Sequence, residues 1–161
     1  MRKPHLRFAL ASAVALATAW SAIAAGAQAG SSTVVKTKHT SLGTILVTSS
    51  GGTLYLDAGD KPGHFACTGG CLSAWPPLRA VGKLTAAGSA KQADLGKVKG
   101  PGGEQVTYRG HPLYTFASDS AGNPTSGEGV GGFYVVGPAG NEITKSTAST
   151  TTSSSSAGYY R

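Results

Sequence analysis

Short runs of apolar and β-branched residues, separated by turn residues, form the main pattern of this chain. Three clear runs are residues 44–48 (TILVT), 53–57 (TLYLD) and 133–136 (FYVV). Each run is too short for a typical helix and is rich in the residues that strands favour. A weaker run at residues 33–38 (TVVKTK) consists of β-branched residues interrupted by lysines, and it also predicts a strand. The pattern therefore predicts a mostly β protein.

Turn residues between these runs predict two β-hairpins. The segment Ser49-Ser50-Gly51-Gly52 follows one run and precedes another, and glycine accepts the positive φ that a tight reversal requires. A second hairpin is predicted for residues 104–117, with its reversal at Arg109-Gly110. One helical turn fits residues 67–74, and the prolines that follow would end it. The expected fold class is all-β, with at most this one short helical turn.

The two predicted hairpins are related by an internal repeat. A shift of 59 positions, without a gap, pairs Tyr55 with Tyr114 and Asp60 with Asp119. The same shift also pairs Leu54 with Leu113, and Trp75 with Tyr134. A repeat of this kind indicates a duplicated structural unit. We therefore expect repeat 1 at about residues 42–79 and repeat 2 at about residues 95–138, packed into one small sandwich- or barrel-like domain.

The ends of the 161-residue chain differ in composition from this central part. Residues 1–29 have a basic start, an Ala-rich apolar run and an Ala-Gln-Ala ending, which is typical of a signal peptide cleaved after Ala29. Residues 146–161 are Ser/Thr-rich and hold too little apolar surface to fold, so they are expected to be disordered. Residues 30–145 form the expected secreted domain, which would be periplasmic or extracellular.

The charge of the chain limits the kinds of partner that it suits. Cleavage after Ala29 would remove three basic residues and leave a net charge of +4 rather than +7. Only Lys91, Lys97 and Lys99 approach a cluster, and an exported protein rarely meets nucleic acid, so a nucleic-acid partner is not expected. The remaining partners are a cell-wall polymer, a membrane surface or an envelope protein, but so mild a charge excess is explained more simply as a contribution to solubility.

The two cysteines have two interpretations. Cys67 and Cys71 are separated by Thr-Gly-Gly, and a pair of cysteines in an exported chain usually forms a disulfide. The alternative is a Cu(I) site formed by the two thiolates with His64, which precedes Cys67 by three residues. That site would need reduced cysteines in an oxidising compartment, so the disulfide is favoured and no metal or other cofactor is expected.

Several of these segments together resemble a bacterial family of secreted repeats, described as predicted lipoproteins with a Tyr-x-aromatic-x-x-Asp motif. Repeat 2 carries the full motif in Tyr114, Phe116 and Asp119, whereas repeat 1 has Asp57 in place of the aromatic residue. The pieces Cys-Thr-Gly-Gly-Cys and Trp-Pro-Pro-Leu also match this family. Many relatives have a lipid-attachment cysteine that this chain lacks, so the resemblance implies a soluble or peripherally held protein. The family's activity is unsettled, and the resemblance implies no mechanism.

The motif residues have a functional and an architectural interpretation. Tyr55 with Asp60, and Tyr114 with Asp119, could bind a cation or a sugar, but a pattern that occurs twice favours a scaffold role. In that role the tyrosines pack in the core and the aspartates fix turns. Trp75 is likewise either an exposed platform for glycans or a core anchor, and the apolar strand around its repeat partner favours the core.

The sequence therefore predicts a non-catalytic, exported envelope protein that acts as a binding or structural module. Serine in a nucleophile-elbow context and paired carboxylates at catalytic spacing are both absent from the sequence, so we do not expect an enzyme. The alternative function is a redox- or copper-associated accessory protein that uses Cys67 and Cys71 with His64. The ligand and the oligomeric state are left open.

Overall fold

The computed structural model of the chain describes residues 31–144, where short strands dominate. The predicted signal peptide and Ser/Thr-rich tail lie outside these residues. The strands are β1 Ser32–Thr40, β2 Gly43–Thr48, β3 Tyr55–Asp57, β4 Lys83–Ala86, β5 Leu95–Gly100, β6 Gly103–Tyr108, β7 His111–Pro112, β8 Phe133–Val136 and β9 Glu142–Ile143. The helical elements are α1 Cys71–Ala74 and two 3₁₀ turns, Gln92–Asp94 and Val130–Gly132. The all-β prediction is confirmed, and no helix within residues 31–144 is long and apolar enough to cross a membrane.

The strands form three sheets of three strands each. Their orders are β2-β1-β4, β3-β8-β9 and β5-β6-β7. Every pairing between these strands is antiparallel except that of β1 with β4, which is parallel. The sheets do not close into a barrel. The small domain therefore consists of three separate sheets of short strands.

Two β-hairpins in the structure have the same register and identify the repeated unit. Hairpin β1–β2 runs from the pair Val35–Thr48 to the pair Thr40–Gly43 at its turn. Hairpin β5–β6 runs in the same way from Leu95–Tyr108 to Gly100–Gly103. Gly43 and Gly103 both have a positive φ, near 100°, which the tight turn requires. The structural repeat thus extends toward the N-terminus beyond residue 42, to β1.

The predicted hairpin between residues 44–48 and 53–57 forms only in part. A single bridge joins Val47 to Thr53, and the Leu54 amide donates to the Leu46 carbonyl at 3.0 Å. The chain then leaves β2, and β3 pairs with β8 instead. The difference arises because β2 pairs along its whole length with β1, whereas β3 pairs with β8 of the other repeat. In repeat 2 the predicted reversal at Arg109-Gly110 does separate β6 from β7.

The final extended segment of each repeat pairs with the other repeat. In repeat 2, β8 pairs with β3 of repeat 1. In repeat 1, the Leu78 amide donates to the Leu113 carbonyl at 2.8 Å, just as the Val136 amide donates to the Leu54 carbonyl at 3.1 Å. Exchanging the two repeats turns one contact into the other, as a local two-fold relation requires. The repeats are therefore interlocked rather than side by side.

These bonds correct one pairing from the sequence. The Ala117 amide donates to Ala74 and the Ala58 amide donates to Gly132, which places Phe133, not Tyr134, as the counterpart of Trp75. Repeat 2 has one residue fewer between its aspartate and this aromatic residue, so the ungapped comparison was one position out of register. Phe133 is 3 % exposed and lies in the core, whereas Tyr134 is only half-buried.

The core consists of two apolar clusters. The first holds Val35, Leu46, Leu54, Leu56, Val106, Tyr108, Leu113 and Val136. The second holds Ile45, Val47, Tyr55, Cys67, Trp75, Tyr114, Phe133 and Val135. Residues 80–94, which we call the linker because they join the two repeats, pack on the first cluster through Ala80, Leu84 and Ala90. The two long loops, residues 57–74 and 117–132, are associated with the second cluster.

Candidate functional site

The two motif tyrosines meet at the centre of the molecule. The amide of Tyr55 donates to the carbonyl of Tyr114, and the amide of Tyr114 donates to the carbonyl of Tyr55, both at 2.9 Å. This reciprocal pair of bonds lies where a local two-fold axis would pass between the repeats. Both side chains are completely buried. The backbone thus brings the same motif position of both repeats into direct contact.

The tyrosine of each repeat is hydrogen-bonded to the aspartate of the other repeat. The Tyr55 hydroxyl donates to Oδ2 of Asp119 at 2.8 Å, and the Tyr114 hydroxyl donates to Oδ2 of Asp60 at 2.9 Å. We call these the crossed Tyr–Asp pairs. From the sequence we predicted the correct tyrosines and aspartates, but we paired each tyrosine with the aspartate of its own repeat. A hydrogen bond from a hydroxyl to a carboxylate is stronger than a hydrogen bond between two neutral groups.

The second oxygen of each aspartate fixes its own loop. Oδ1 of Asp60 accepts from the Ala66 amide at 2.8 Å. Oδ1 of Asp119 accepts from the Ser126 amide at 3.0 Å and from the Ser126 hydroxyl at 2.8 Å. Each carboxylate therefore ties a long loop of one repeat to the buried tyrosine of the other. The sequence did not indicate Ala66 or Ser126, since a backbone donor has no sequence signature.

The surroundings of the two phenols keep them protonated. Burial is the main cause that raises the pKa of Tyr55 well above the ordinary tyrosine range, and the hydrogen bond to Asp119 with its negative charge adds to it. Burial and Asp60 raise the pKa of Tyr114 in the same way. The phenols are therefore hydrogen-bond donors in the folded protein, which is the role that the crossed Tyr–Asp pairs need.

A spectroscopic titration checks this protonation state. Because the folded-state pKa values are raised, both phenols favour folding below the ordinary tyrosine pKa of about 10, and this contribution is lost as the pH rises above it. We expect Tyr55 and Tyr114 to form phenolate only when the protein unfolds in alkali. Replacing Tyr55 with Phe should leave the native-state phenolate absorbance unchanged. A smaller change in phenolate absorbance in the Tyr55→Phe variant, at a pH where circular dichroism still shows folded protein, would contradict the expectation.

An aromatic cluster surrounds the crossed Tyr–Asp pairs; it consists of Tyr55, Trp75, Tyr114, Phe116 and Phe133. Phe133 stacks on Trp75 with ring centroids 3.8 Å apart, and Phe116 stacks on it at 4.3 Å. Two rings cannot occupy one face of an indole at these distances, so they cover its opposite faces. Trp75 is 5 % exposed. It is a core anchor and does not form the exposed glycan platform considered from the sequence.

Gly127 makes room for this stack. A Cβ atom at position 127 would lie 2.7 Å from the Trp75 ring, closer than such atoms approach in proteins, and 3.0 Å from Cζ of Tyr55, which is a tight contact. The Gly127 amide also lies 3.3 Å from the Tyr55 hydroxyl, to which it donates. Position 127 therefore accepts only glycine without displacement of the aromatic rings.

The third motif position differs between the repeats. Phe116 stacks on Trp75 in repeat 2, whereas Asp57 of repeat 1 is 7 % exposed and accepts from the Gly59 amide at 2.8 Å. Burial raises the pKa of Asp57, the bond from Gly59 opposes this, and the nearby Asp60 adds to the increase. The substitution replaces an aromatic contact with a carboxylate that shapes the turn after β3.

The cysteines are joined, as the sequence favoured. Cys67 and Cys71 form a disulfide with their Cα atoms 5.4 Å apart, and Cys67 packs in the second core cluster. Closing so short a loop stabilises the fold by about 2 kcal/mol in the chain-entropy account. His64 is exposed, and its backbone pairs with Lys61 in a turn. No group of three metal-binding side chains occurs among residues 31–144, so the structure gives the copper alternative no support.

The interior offers no spare polar group to a ligand. Every buried side-chain nitrogen or oxygen in residues 31–144 has a hydrogen-bond partner within the protein. The polar groups of the crossed Tyr–Asp pairs are therefore satisfied within the protein.

The surface charge is far more one-sided than the net charge indicates. Eight of the nine Lys and Arg residues within residues 31–144 are exposed, and the ninth is half-buried. All seven acidic residues lie in the same range, but only Glu104 is exposed. Four acidic side chains accept internal hydrogen bonds: Asp57, Asp60, Asp119 and Glu128. The charges that reach solvent are thus predominantly positive.

Two interlocked copies of one β unit, joined by crossed Tyr–Asp pairs, define a duplicated repeat protein. A family model described as a secreted repeat of unknown function matches the chain twice, over residues 36–79 and 97–136. The chain belongs to this family of secreted repeats, which identifies it as an exported protein. No curated protein and no solved structure matches the chain significantly.

Proposed function

We propose that this protein is a non-catalytic binding module that attaches to an anionic polymer of the cell envelope after export and removal of residues 1–29. The observation that carries the proposal is the division of charge just described: nearly all basic side chains are exposed, whereas all acidic residues except Glu104 are half-buried or buried. An excess of exposed positive charge attracts polyanions and speeds their encounter with the protein. The proposed site of action is the periplasm or the cell exterior.

The engagement of the carboxylates supports a non-catalytic role. General acid–base catalysis needs a carboxyl group within reach of a substrate proton. Asp60 and Asp119 each use both oxygens within the protein, on a buried tyrosine and on a loop amide. Their geometry serves the joining of the two repeats.

A membrane surface and an envelope protein are the other partners in view, and the apolar surface favours neither. Val81 and Val130 are the large hydrophobic residues that residues 31–144 expose. Peripheral membrane binding grows with buried apolar area as well as with charge, and protein interfaces have an apolar centre. Two valines supply too little apolar area for a membrane surface or for the centre of a protein interface. A polyanion requires only exposed basic side chains.

Retention on isolated cell walls tests the proposal. The exported protein, purified with its disulfide intact, should sediment with the walls at about 0.05 M salt and be released at about 1 M salt, where the Debye length falls to about 3 Å. Walls whose anionic polymers have been extracted should retain much less. Failure to sediment, or retention that salt does not reverse, would contradict electrostatic attachment.

A further inference from the structure

The charges of this protein are unevenly distributed along the chain. Residues 79–109, which include the whole linker and hairpin β5–β6, carry six basic and two acidic residues. We call this stretch the positive segment. The two long loops carry four acidic residues and one basic residue, Lys61. The linker packs on the first core cluster and the loops on the second, and one loop also meets hairpin β5–β6, where the Phe65 ring lies against Gly100.

The positive segment has a fixed backbone rather than a loose one. The Gln92 side chain donates to the Leu84 carbonyl at 3.1 Å and accepts from the Ala86 amide at 2.9 Å, which holds the free edge of β4. The Lys91 amide donates to the buried Tyr108 hydroxyl at 2.9 Å. Such attachments hold the lysine backbones in place, so little backbone entropy is lost when a partner binds.

The lysine side chains of this segment remain available. Lys83, Lys91 and Lys99 are exposed and form no ion pair within residues 31–144, whereas Lys97 lies 3.7 Å from Glu104 and donates to the Gly82 carbonyl at 3.2 Å. An ion pair between two exposed groups is weak, so Glu104 offsets little of the local positive charge. An ammonium group binds phosphate as a compact point charge without a fixed geometry, which suits a flexible chain of phosphates.

We infer that the positive segment is the face that binds the anionic polymer and that the partner is a linear, phosphate-bearing polyanion. This inference rests on the proposed function and adds its place and its ligand chemistry.

Two triple variants of the full exported protein test the inference. The first carries Lys83→Gln, Lys91→Gln and Lys99→Gln in the positive segment. The second is the matched control, with Lys36→Gln, Lys38→Gln and Lys61→Gln; these lysines lie outside the segment in sequence, although Lys36 and Lys38 flank Thr37, which accepts from the Ser89 amide of the linker. Both remove three charges, and Lys97 is kept in both because it bonds to the backbone. Equal unfolding midpoints in urea establish that both variants fold.

The readout is the dissociation constant for linear inorganic polyphosphate at about 0.15 M salt, where the Debye length is about 8 Å. We expect the first variant to bind about a hundredfold more weakly and the control about threefold more weakly, since charges act mainly within a Debye length. Equal losses would overturn the positive segment as the binding face while leaving the proposed function standing. If neither variant loses affinity, or the wild type does not bind, both ideas fail. Stronger binding to phosphatidylglycerol vesicles than to polyphosphate would overturn the polymer as partner.

Discussion

Replacing Trp75 with alanine is expected to lower the free energy of unfolding by about 3–5 kcal/mol. The indole is buried between Phe116 and Phe133 and meets the edge of Tyr55 with ring centroids 5.3 Å apart. Those three rings come from both repeats, so the truncation leaves a cavity where the repeats meet. The interior relaxes only partly around such a cavity, which adds to the lost burial. Urea denaturation with the disulfide intact measures the change.

Val81 provides the control for this experiment. Its side chain is 51 % exposed, so Val81→Ala should change the free energy of unfolding by less than about 0.5 kcal/mol. A similarly small loss for Trp75→Ala would mean that the indole does not hold the repeats together. The energetic basis of the fold described here would then be wrong.

The sequence predicted the fold class and the motif residues because these leave local signals. Alternating apolar runs identify strands, and the recurrence of Tyr55 and Asp60 as Tyr114 and Asp119 identifies a duplication. Exchange between the repeats leaves no such signal. An aspartate five residues after a tyrosine has the same spacing whether it bonds to that tyrosine or to the other one. Only the packing of the two units decides between these arrangements.

The equivalence of strands β1 and β5 could not be predicted from the sequence because the equivalent residues differ in type. Strands β1 and β5 have the same register with their partners, yet Lys36 corresponds to Gly96 and Lys38 to Val98. The equivalence is carried by backbone hydrogen bonds, which do not depend on these side chains. The sequence also placed Trp75 opposite Tyr134, and a one-residue gap after Asp119 would have placed it opposite Phe133.

The surface of the protein was the least predictable feature. The sequence contains every charge but does not indicate which side chains are turned inward. Asp60 and Asp119 look like ordinary turn residues, and Glu128 lies in a glycine-rich stretch; in the fold Asp60 and Asp119 bond to the tyrosines, and Glu128 accepts from the Val135 amide. Because these carboxylates are half-buried and bonded within the protein, the fully exposed charges are mainly positive. The proposed function rests on that difference.

The crossed Tyr–Asp pairs give the second large prediction. Asp119→Ala removes the acceptor of the Tyr55 hydroxyl and of two Ser126 donors, so we expect a loss on the order of 3 kcal/mol in the free energy of unfolding. Adding Tyr55→Phe to this variant should cost little more, because the bond is already gone. A double-mutant cycle in urea should give a coupling of about 0.5–3 kcal/mol.

The matched control combines Asp119→Ala with Tyr114→Phe, the tyrosine of the same repeat. Tyr114 is as deeply buried as Tyr55 but bonds to Asp60, so its coupling to Asp119 should stay within about 0.5 kcal/mol of zero. The mirror-image cycles with Asp60→Ala should reverse the pattern, coupling to Tyr114 and not to Tyr55. Stronger coupling within a repeat than between repeats would place each tyrosine with its own aspartate. The two units would then be neighbours that fold separately, and the interlocked architecture could not stand.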